Sequence, residues 1–109
     1  THSIRVAKYQ DRRTNAATKL QAISILAAVD EAYWRLYEAQ HALLVEQKQL
    51  ELARRQKDRA EQRLQVGLVG GIEVVRASAG IARSVGNIII AVSSVKRRRR
   101  DLKRIMNRS

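Results

Sequence analysis

The chain contains no proline, no cysteine and no phenylalanine, and its 109 residues include only five glycines, one tryptophan and three tyrosines. Without proline, nothing interrupts a long helix from within, and with so few aromatic residues a compact core is hard to build. The absence of cysteine excludes a disulfide framework and thiolate chemistry. These features favour long helices in one small domain over a globular fold.

Long hydrophobic runs are also missing. A run as long as any in the chain, residues 88–92, is far shorter than the ~20 residues that span a bilayer as a helix. The chain starts with Thr1 and has nothing resembling a signal peptide near it. We therefore expect the sequence to be a piece of a larger protein, so that missing targeting signals say little about location.

Positive charge is abundant and uneven. Lys and Arg total 22 against 10 Asp and Glu, a formal net charge of +12. Residues 67–109 hold 10 basic and 2 acidic residues, a net of +8, and residues 97–100 are all arginine. Such a block is typical of binding to nucleic acid or to an anionic membrane surface. Because the apolar repeat continues through it, we favour a solvated basic face and keep nucleic acid binding as the alternative.

Apolar residues recur every seven positions along two stretches. In the first stretch a row of large residues runs beside a row of alanines, broken by Lys57 and Glu46, and the second stretch repeats the arrangement. A sustained seven-residue repeat predicts left-handed supercoiling of helices, and small residues let their axes approach closely. The predicted helix-packing seam consists of Val29, Leu36, Leu43, Leu50, Leu64, Ile81, Ile88, Val95 and Leu102.

This pattern predicts an all-α fold, a long antiparallel coiled-coil helical hairpin. Its predicted parts are a lead-in or frayed helix start over residues 1–15, a first helix over 16–66, a glycine-rich tip over 67–71 and a second helix over 72–107. At 1.5 Å per residue the helices would span ~75 Å and ~50 Å, so the first overhangs the second. An unpaired apolar overhang is costly, and we expect self-association or membership of a larger helical assembly.

The glycines between the helices predict a tight reversal, because glycine adopts positive φ without steric cost. Their spacing fits neither the phosphate-binding loop nor the dinucleotide-binding turn. A plain connector is one interpretation. The apolar residues around the glycines favour another, a tip that meets a partner surface, since a solvent-facing turn is normally polar. These residues are Val66, Leu68, Val69 and Ile72.

No residue pattern points to catalysis, and we expect neither an enzyme nor a bound metal or cofactor. His2 and His41 are far apart, and His41 has no suitable metal-ligand partners one helical turn away except Glu38. The acidic residues lie four positions from basic ones, as in Glu31–Arg35 and Glu51–Arg55, which predicts surface ion pairs. Tyr33, Trp34 and Tyr37 are expected to pack between helices.

Several segments occur in a distinctive order. Val-Asp-Glu-Ala-Tyr-Trp-Arg-Leu at 29–36 precedes Leu-Glu-Leu-Ala at 50–53, Arg-Leu-Gln-Val-Gly-Leu-Val at 63–69, Ile-Glu-Val-Val-Arg-Ala at 72–77 and Leu-Lys-Arg-Ile-Met-Asn at 102–107. Their succession resembles the periplasmic helical hairpin of TolC-like outer membrane efflux proteins, the outer membrane factor family. It is most similar to the first of that family's two internal repeats. The resemblance covers residues 22–107 and rests on order and spacing, because no single segment is specific.

The resemblance implies that the chain is a fragment of a trimeric α-barrel/β-barrel outer membrane protein, in its periplasmic portion. The homotrimer would form the exit duct of a multidrug or metal efflux pump or of a type I secretion system. Its tip would dock to a periplasmic adaptor (membrane fusion) protein, and the inner membrane transporter would be an indirect partner. Carried over by position, the docking residues are Val66, Gly67, Leu68, Val69, Gly70, Gly71, Ile72, Glu73 and Val74.

The chain departs from the family pattern at several positions. Glu73 stands where family members often have Asp, and the Gly70-Gly71 pair is looser than the usual tip. Gly80 and Gly86 weaken the second helix, and residues 97–100 are unusually basic. A loose tip predicts that the hairpin can open at Gly70-Gly71 and exchange helices with a second copy.

Overall fold

The computed structural model describes residues 2–107, and these form two α-helices folded back on each other. Helix α1 is His2–Gln65 and helix α2 is Gly71–Asn107, with a loop over residues 66–70 between them. The molecule is a rod 98 Å long and 16 by 13 Å across. The prediction of an all-α helical hairpin is confirmed for the described residues.

Helix α1 is longer than the heptad pattern indicates. It begins at His2, so residues 2–15 continue the helix, whereas the sequence pattern leaves them as a lead-in. The side-chain hydroxyls of Thr14 and Thr18 donate hydrogen bonds to the carbonyls of Gln10 and Thr14, one turn back. The segment carries no proline, so the helix continues through it from the heptad region without tertiary support.

The two heptad rows meet along one seam. Every seam position from 25 to 60 in α1 and from 74 to 105 in α2 is buried or half-buried. The buried residues are small: Ala32, Ala39, Ser84, Ala91 and Val95. Of the predicted seam, Val95 is buried and Leu64 is exposed, while the other members are half-buried: Val29, Leu36, Leu43, Leu50, Ile81, Ile88 and Leu102.

Two helices cover only one face of each other. No large side chain among residues 2–107 is fully buried, and many large apolar side chains on the outer faces remain exposed. Each exposed apolar side chain forgoes the stabilisation that burial brings, about 1.5–3 kcal/mol for a Val, Leu, Ile, Phe or Met. The hairpin therefore has a continuous seam and no core, and its outer faces are available to partners.

The register of the hairpin follows from hollows that both helices line. Ala28 and Ile105 border one hollow, and Ala60 and Ala77 border another nearer the tip. The end of α2 therefore lies beside residues 26–28 of α1, at the end of the hairpin we call the base. Residues 2–24, which we call the overhang, extend beyond the base, and all of them are exposed.

Candidate docking tip and flanking surfaces

Gly67 ends α1 through a left-handed backbone conformation. Its φ is +77°, and among the described residues no non-glycine has a positive φ. Its N–H donates to the Leu64 carbonyl at 3.0 Å, and the Leu68 N–H donates to the Arg63 carbonyl at 2.8 Å. These two bonds form a Schellman motif, which satisfies carbonyls that the helix end leaves free. Gly67 is therefore the glycine that the turn requires.

Gly70 and Gly71 start α2 rather than turn the chain. The Glu73 N–H donates to the Gly70 carbonyl at 3.1 Å, which makes Gly70 the N-cap residue. Neither glycine has a positive φ, and a Cβ added to either would meet no atom within 4 Å. The Glu73 carboxylate lies in the first turn, where the helix dipole favours negative charge, and pairs with Arg76 at 3.5 Å. Looseness at the tip therefore does not come from a strained Gly70-Gly71 pair.

The predicted docking residues divide into exposed and half-buried groups. Val66, Leu68 and Ile72 are 70%, 73% and 61% exposed, and they surround Gly67 at the end of the rod. Gly67, Gly70, Gly71 and Glu73 are also exposed. Val69 and Val74 are half-buried, because Val69 turns toward a hollow beside α1 and Val74 begins the α2 seam row.

Sequence reasoning missed Val75. Its side chain is as exposed as that of Ile72, and it lies one position beyond the predicted docking set. The signal was available, since the residue after a seam position lies on the outer face of a helix, where an apolar side chain needs an explanation. The exposed apolar patch of the tip is therefore Val66, Leu68, Ile72 and Val75.

One side of the hairpin is a polar groove. All the hollows that both helices line lie along this side. At the base they are bordered by Glu31, Arg35, Arg98 and Asp101. Near the tip they are bordered by Gln56, Arg59 and Glu73. The predicted pairs Glu31–Arg35 and Glu51–Arg55 are confirmed at 2.6 Å and 2.8 Å. Arg98, at a seam position, lies 3.8 Å from Asp101. All of these pairs are solvent-exposed enough that each contributes little to stability.

The aromatic residues do not pack between the helices, so that expectation was wrong. Tyr33, Trp34 and Tyr37 are each more than half exposed. Tyr33 and Tyr37 flank the seam on the side away from the polar groove, and Trp34 points outward. They pack on one another instead: Trp34 meets Tyr33 and Tyr37 edge-to-face, with centroids 6.4 Å and 5.7 Å apart, and Tyr37 stacks on His41. We call these four residues the aromatic cluster.

Four cations form a second cluster at the base. Lys96, Arg99, Arg100 and Lys103 border a shallow, open hollow of about 340 Å³ on the outer side of α2. We call them the basic cluster. Their spacing of three, four and seven residues places like charges one turn apart, which costs a few tenths of a kcal/mol for each pair. Within residues 2–107, none of the four forms an ion pair with an acidic residue.

Two further properties bear on the kind of site present. Across residues 2–107, no three His, Asp or Glu side chains come together in a way that could hold a metal ion. Helix α2 is long and apolar enough, by length and composition alone, to cross a membrane. A count of consecutive apolar residues does not reveal this property of α2. Uncharged serine, glycine and asparagine interrupt its apolar runs and keep each run short.

The chain was also compared with protein-family models, with curated proteins and with solved structures. No family model matches it. No curated protein and no solved structure matches it either. The function proposed below therefore rests on the geometry of the tip, the seam and the outer faces.

Proposed function

We propose that this chain is the periplasmic α-hairpin of a TolC-like outer membrane efflux channel, in which it forms part of the exit duct and docks at its tip to the adaptor protein. The observation that carries the proposal is the exposed apolar patch at the tip. A hairpin turn that faces only water gains nothing from Val66, Leu68 and Ile72, whereas a partner surface that covers them gains about 25 cal/mol for each Å² of apolar area buried.

The shape of the tip supports docking in a second way. Four backbone hydrogen bonds hold the loop: two in the Schellman motif at Gly67, one at the Gly70 N-cap, and one from the Val66 N–H to the Gln62 carbonyl. A partner therefore meets a preformed surface and does not have to order a flexible loop, which lowers the entropic cost of binding. Val66 and Leu68 are fixed on the two sides of Gly67, so an adaptor hairpin can recognise a defined apolar end.

The outer faces support membership of a larger helical wall. The overhang carries exposed Ile4, Leu20 and Ile23, and the hairpin itself exposes Ile90 on the side of the polar groove. Gly80 and Gly86 lie inside α2, where each costs about 0.5–1 kcal/mol relative to alanine. No atom of this chain approaches either glycine closely enough to require it. Neighbouring helices of a barrel would cover these faces and make use of the small residues.

The test is the affinity of the chain for the α-hairpin of the adaptor protein encoded with the parent channel. Leu68→Asp places a charge in the centre of the patch, and Gly67→Asp removes the left-handed glycine as well. Both substitutions should reduce affinity at least about tenfold, since they bury an unpaired carboxylate at the interface. Leu20→Asp is the matched control, because Leu20 is 68% exposed and lies in the overhang, far from the tip.

The control should bind as the unchanged chain does. Equal affinity of the Leu68→Asp variant and the unchanged chain would count against tip docking. A loss of affinity in the Leu20→Asp control as large as in the tip variants would show that general solubility, not the tip, determines binding.

The alternative function is a basic coiled-coil hairpin that binds nucleic acid, and the unpaired basic cluster is the observation that favours it. Binding would then depend steeply on salt, with a logarithmic slope near −0.9 for each duplex phosphate contacted. An electrophoretic mobility shift at physiological salt that shows no complex would remove this alternative. We rank it second, because the tip patch has no role in it.

A further inference from the structure

We propose that the base of the hairpin carries a second binding surface, made by the basic cluster and the aromatic cluster together, that binds an anionic lipid surface. The surface lies at the opposite end of the hairpin from the tip and is independent of adaptor docking. The two clusters lie at one level of the hairpin and on one side of it, and their chemistry fits a lipid interface.

The register places the two clusters at one level. Arg35 of α1 and Arg98 of α2 border the same hollow, so residues one turn to either side lie opposite each other as well. Trp34 therefore lies at the level of Arg99, and Tyr37 at the level of Lys96. Residues 33–41 and 96–103 each extend about 10–12 Å along the helix axis, at 1.5 Å per residue.

Helical periodicity places both clusters on the side away from the polar groove. The groove is bordered by one set of flanking positions, which includes Ala28 and Arg35 on α1 and Asp101 on α2. The opposite flank of the seam carries Tyr33, Lys96 and Arg99, because they lie about 140° to 160° around the helix from the groove positions. In an antiparallel pair these flanks adjoin, so one face carries Tyr33, Tyr37, Lys96, Arg99 and Lys103. Trp34 and Arg100 point outward from their helices and lie at the two edges of that face.

The face also contains exposed aliphatic residues. Ile89 lies two turns before Lys96 on α2, and Leu44 lies two turns after Tyr37 on α1; both are exposed. Lysine and arginine reach phosphate groups while their methylene stems cover apolar surface, and tyrosine and tryptophan prefer the boundary between hydrocarbon and water. Cations, interfacial aromatics and aliphatic residues in this order form the pattern of a helix pair lying on an anionic lipid surface.

The ring geometry disfavours nucleic acid as the ligand. A base-stacking site needs ring faces that are free and roughly parallel. Here Trp34 is inclined at 78° to Tyr33 and 82° to Tyr37, and one face of Tyr37 is stacked on His41. A lipid interface does not require a flat aromatic platform, and a nucleic acid has no use for exposed isoleucine. The observations therefore favour the lipid surface.

The test uses Trp34, the single tryptophan of the chain, as the reporter. The full chain is titrated with vesicles of phosphatidylglycerol and phosphatidylcholine, with vesicles of phosphatidylcholine alone, and with a duplex oligonucleotide. Binding to the anionic vesicles should shift the Trp34 emission to shorter wavelength and protect it from acrylamide, because the indole leaves water. The zwitterionic vesicles should give neither effect.

The test variant replaces Lys96, Arg99, Arg100 and Lys103 with glutamine. Each basic residue near an anionic surface contributes about fivefold to partitioning, so the variant, which lacks four of them, should bind the anionic vesicles roughly 600-fold more weakly. The matched control replaces two lysines and two arginines elsewhere, and it removes the same charge from exposed positions: Lys19, Lys48, Arg59 and Arg83. The control should keep most of the affinity and the full emission shift.

Three results would overturn the proposal. The first is an unshifted Trp34 emission with anionic vesicles, and the second is an equal loss of vesicle affinity in the test and control variants, which would indicate net charge alone. The third is tight binding of the oligonucleotide with no vesicle binding, which would assign the basic cluster to nucleic acid. Circular dichroism of both variants checks that the helices are retained, and adaptor affinity, measured separately, reports only on the tip.

Discussion

Replacing Gly67 with alanine tests whether the hairpin is closed by a left-handed cap. A non-glycine residue in this conformation costs about 1–2 kcal/mol, and no contact in the loop offsets the cost, since a Cβ at Gly67 meets nothing within 4 Å. Part of this cost is offset, because alanine lowers the conformational entropy of the unfolded chain and so stabilises the folded state. We expect a net loss of about 1 kcal/mol, which lowers the melting temperature by about 4–8 °C in a domain of this size.

Gly80→Ala is the matched control, because it makes the same chemical change in the interior of α2. Gly80 has an ordinary φ and open space around its Cα. Alanine there should stabilise the hairpin by about 0.5–1 kcal/mol. Urea unfolding followed by circular dichroism, at one fixed protein concentration, should therefore separate the two variants by nearly 2 kcal/mol, with opposite signs relative to the unchanged chain.

Gly67→Ala has a second expected consequence. Alanine favours continuation of α1 through the loop, which would open the hairpin and let two copies exchange helices. Light scattering should then show a larger dimeric fraction for Gly67→Ala than for Gly80→Ala. If the Gly67→Ala variant is as stable as the Gly80→Ala variant and has an unchanged mass, the left-handed cap does not hold the hairpin and the reasoning fails.

Three further predictions concern the seam, the overhang and the first turn of α2. Val95→Ala should cost about 1.5 kcal/mol, since it removes two carbons from a buried seam position, whereas Ile90→Ala, on the exposed face, should cost less than about 0.5 kcal/mol in the same urea unfolding measurement. Deletion of residues 1–24 should leave the unfolding midpoint unchanged while removing helical signal, and a lower midpoint would show that the overhang packs on a second copy. Glu73→Gln should lower stability by about 0.3–1 kcal/mol at low salt and by less at high salt, and a salt-independent loss would contradict the helix-dipole assignment.

The hairpin and its seam could be predicted from the sequence because a seven-residue repeat has one geometric solution. Each helix has apolar rows that repeat every seven residues, such as those of Leu36 and Ala39 in α1 and of Ile88 and Ala91 in α2. Such rows pack against another helix. The antiparallel pairing followed from the short glycine-rich link, which leaves no length for a parallel crossover. The predicted seam names the large residues, whereas the buried positions are mostly small ones such as Ala32, Ala39 and Ala91, which let the helix axes approach.

Other features could not be read from the same pattern. Helix α1 begins at His2 because the helix continues outward from the part that carries the heptad repeat. This continuation produces no periodic apolar pattern in residues 2–15, so the sequence does not show it. Three glycines near the turn look equivalent in sequence, and only backbone geometry shows that Gly67 takes the positive φ while Gly70 and Gly71 start α2. Tyr33 and Tyr37 flank the seam, and their exposure depends on whether another helix covers that flank, which the heptad pattern of one hairpin does not show.

The central claim is that the tip, and not another surface of the rod, meets the adaptor. Amide hydrogen exchange of the chain, measured with and without the adaptor α-hairpin, tests this without any substitution. Our account predicts slower exchange confined to residues 63–75, around the exposed patch, with no change over residues 96–103 of the basic cluster. Protection along the outer faces or at the base, with the tip unprotected, would contradict it.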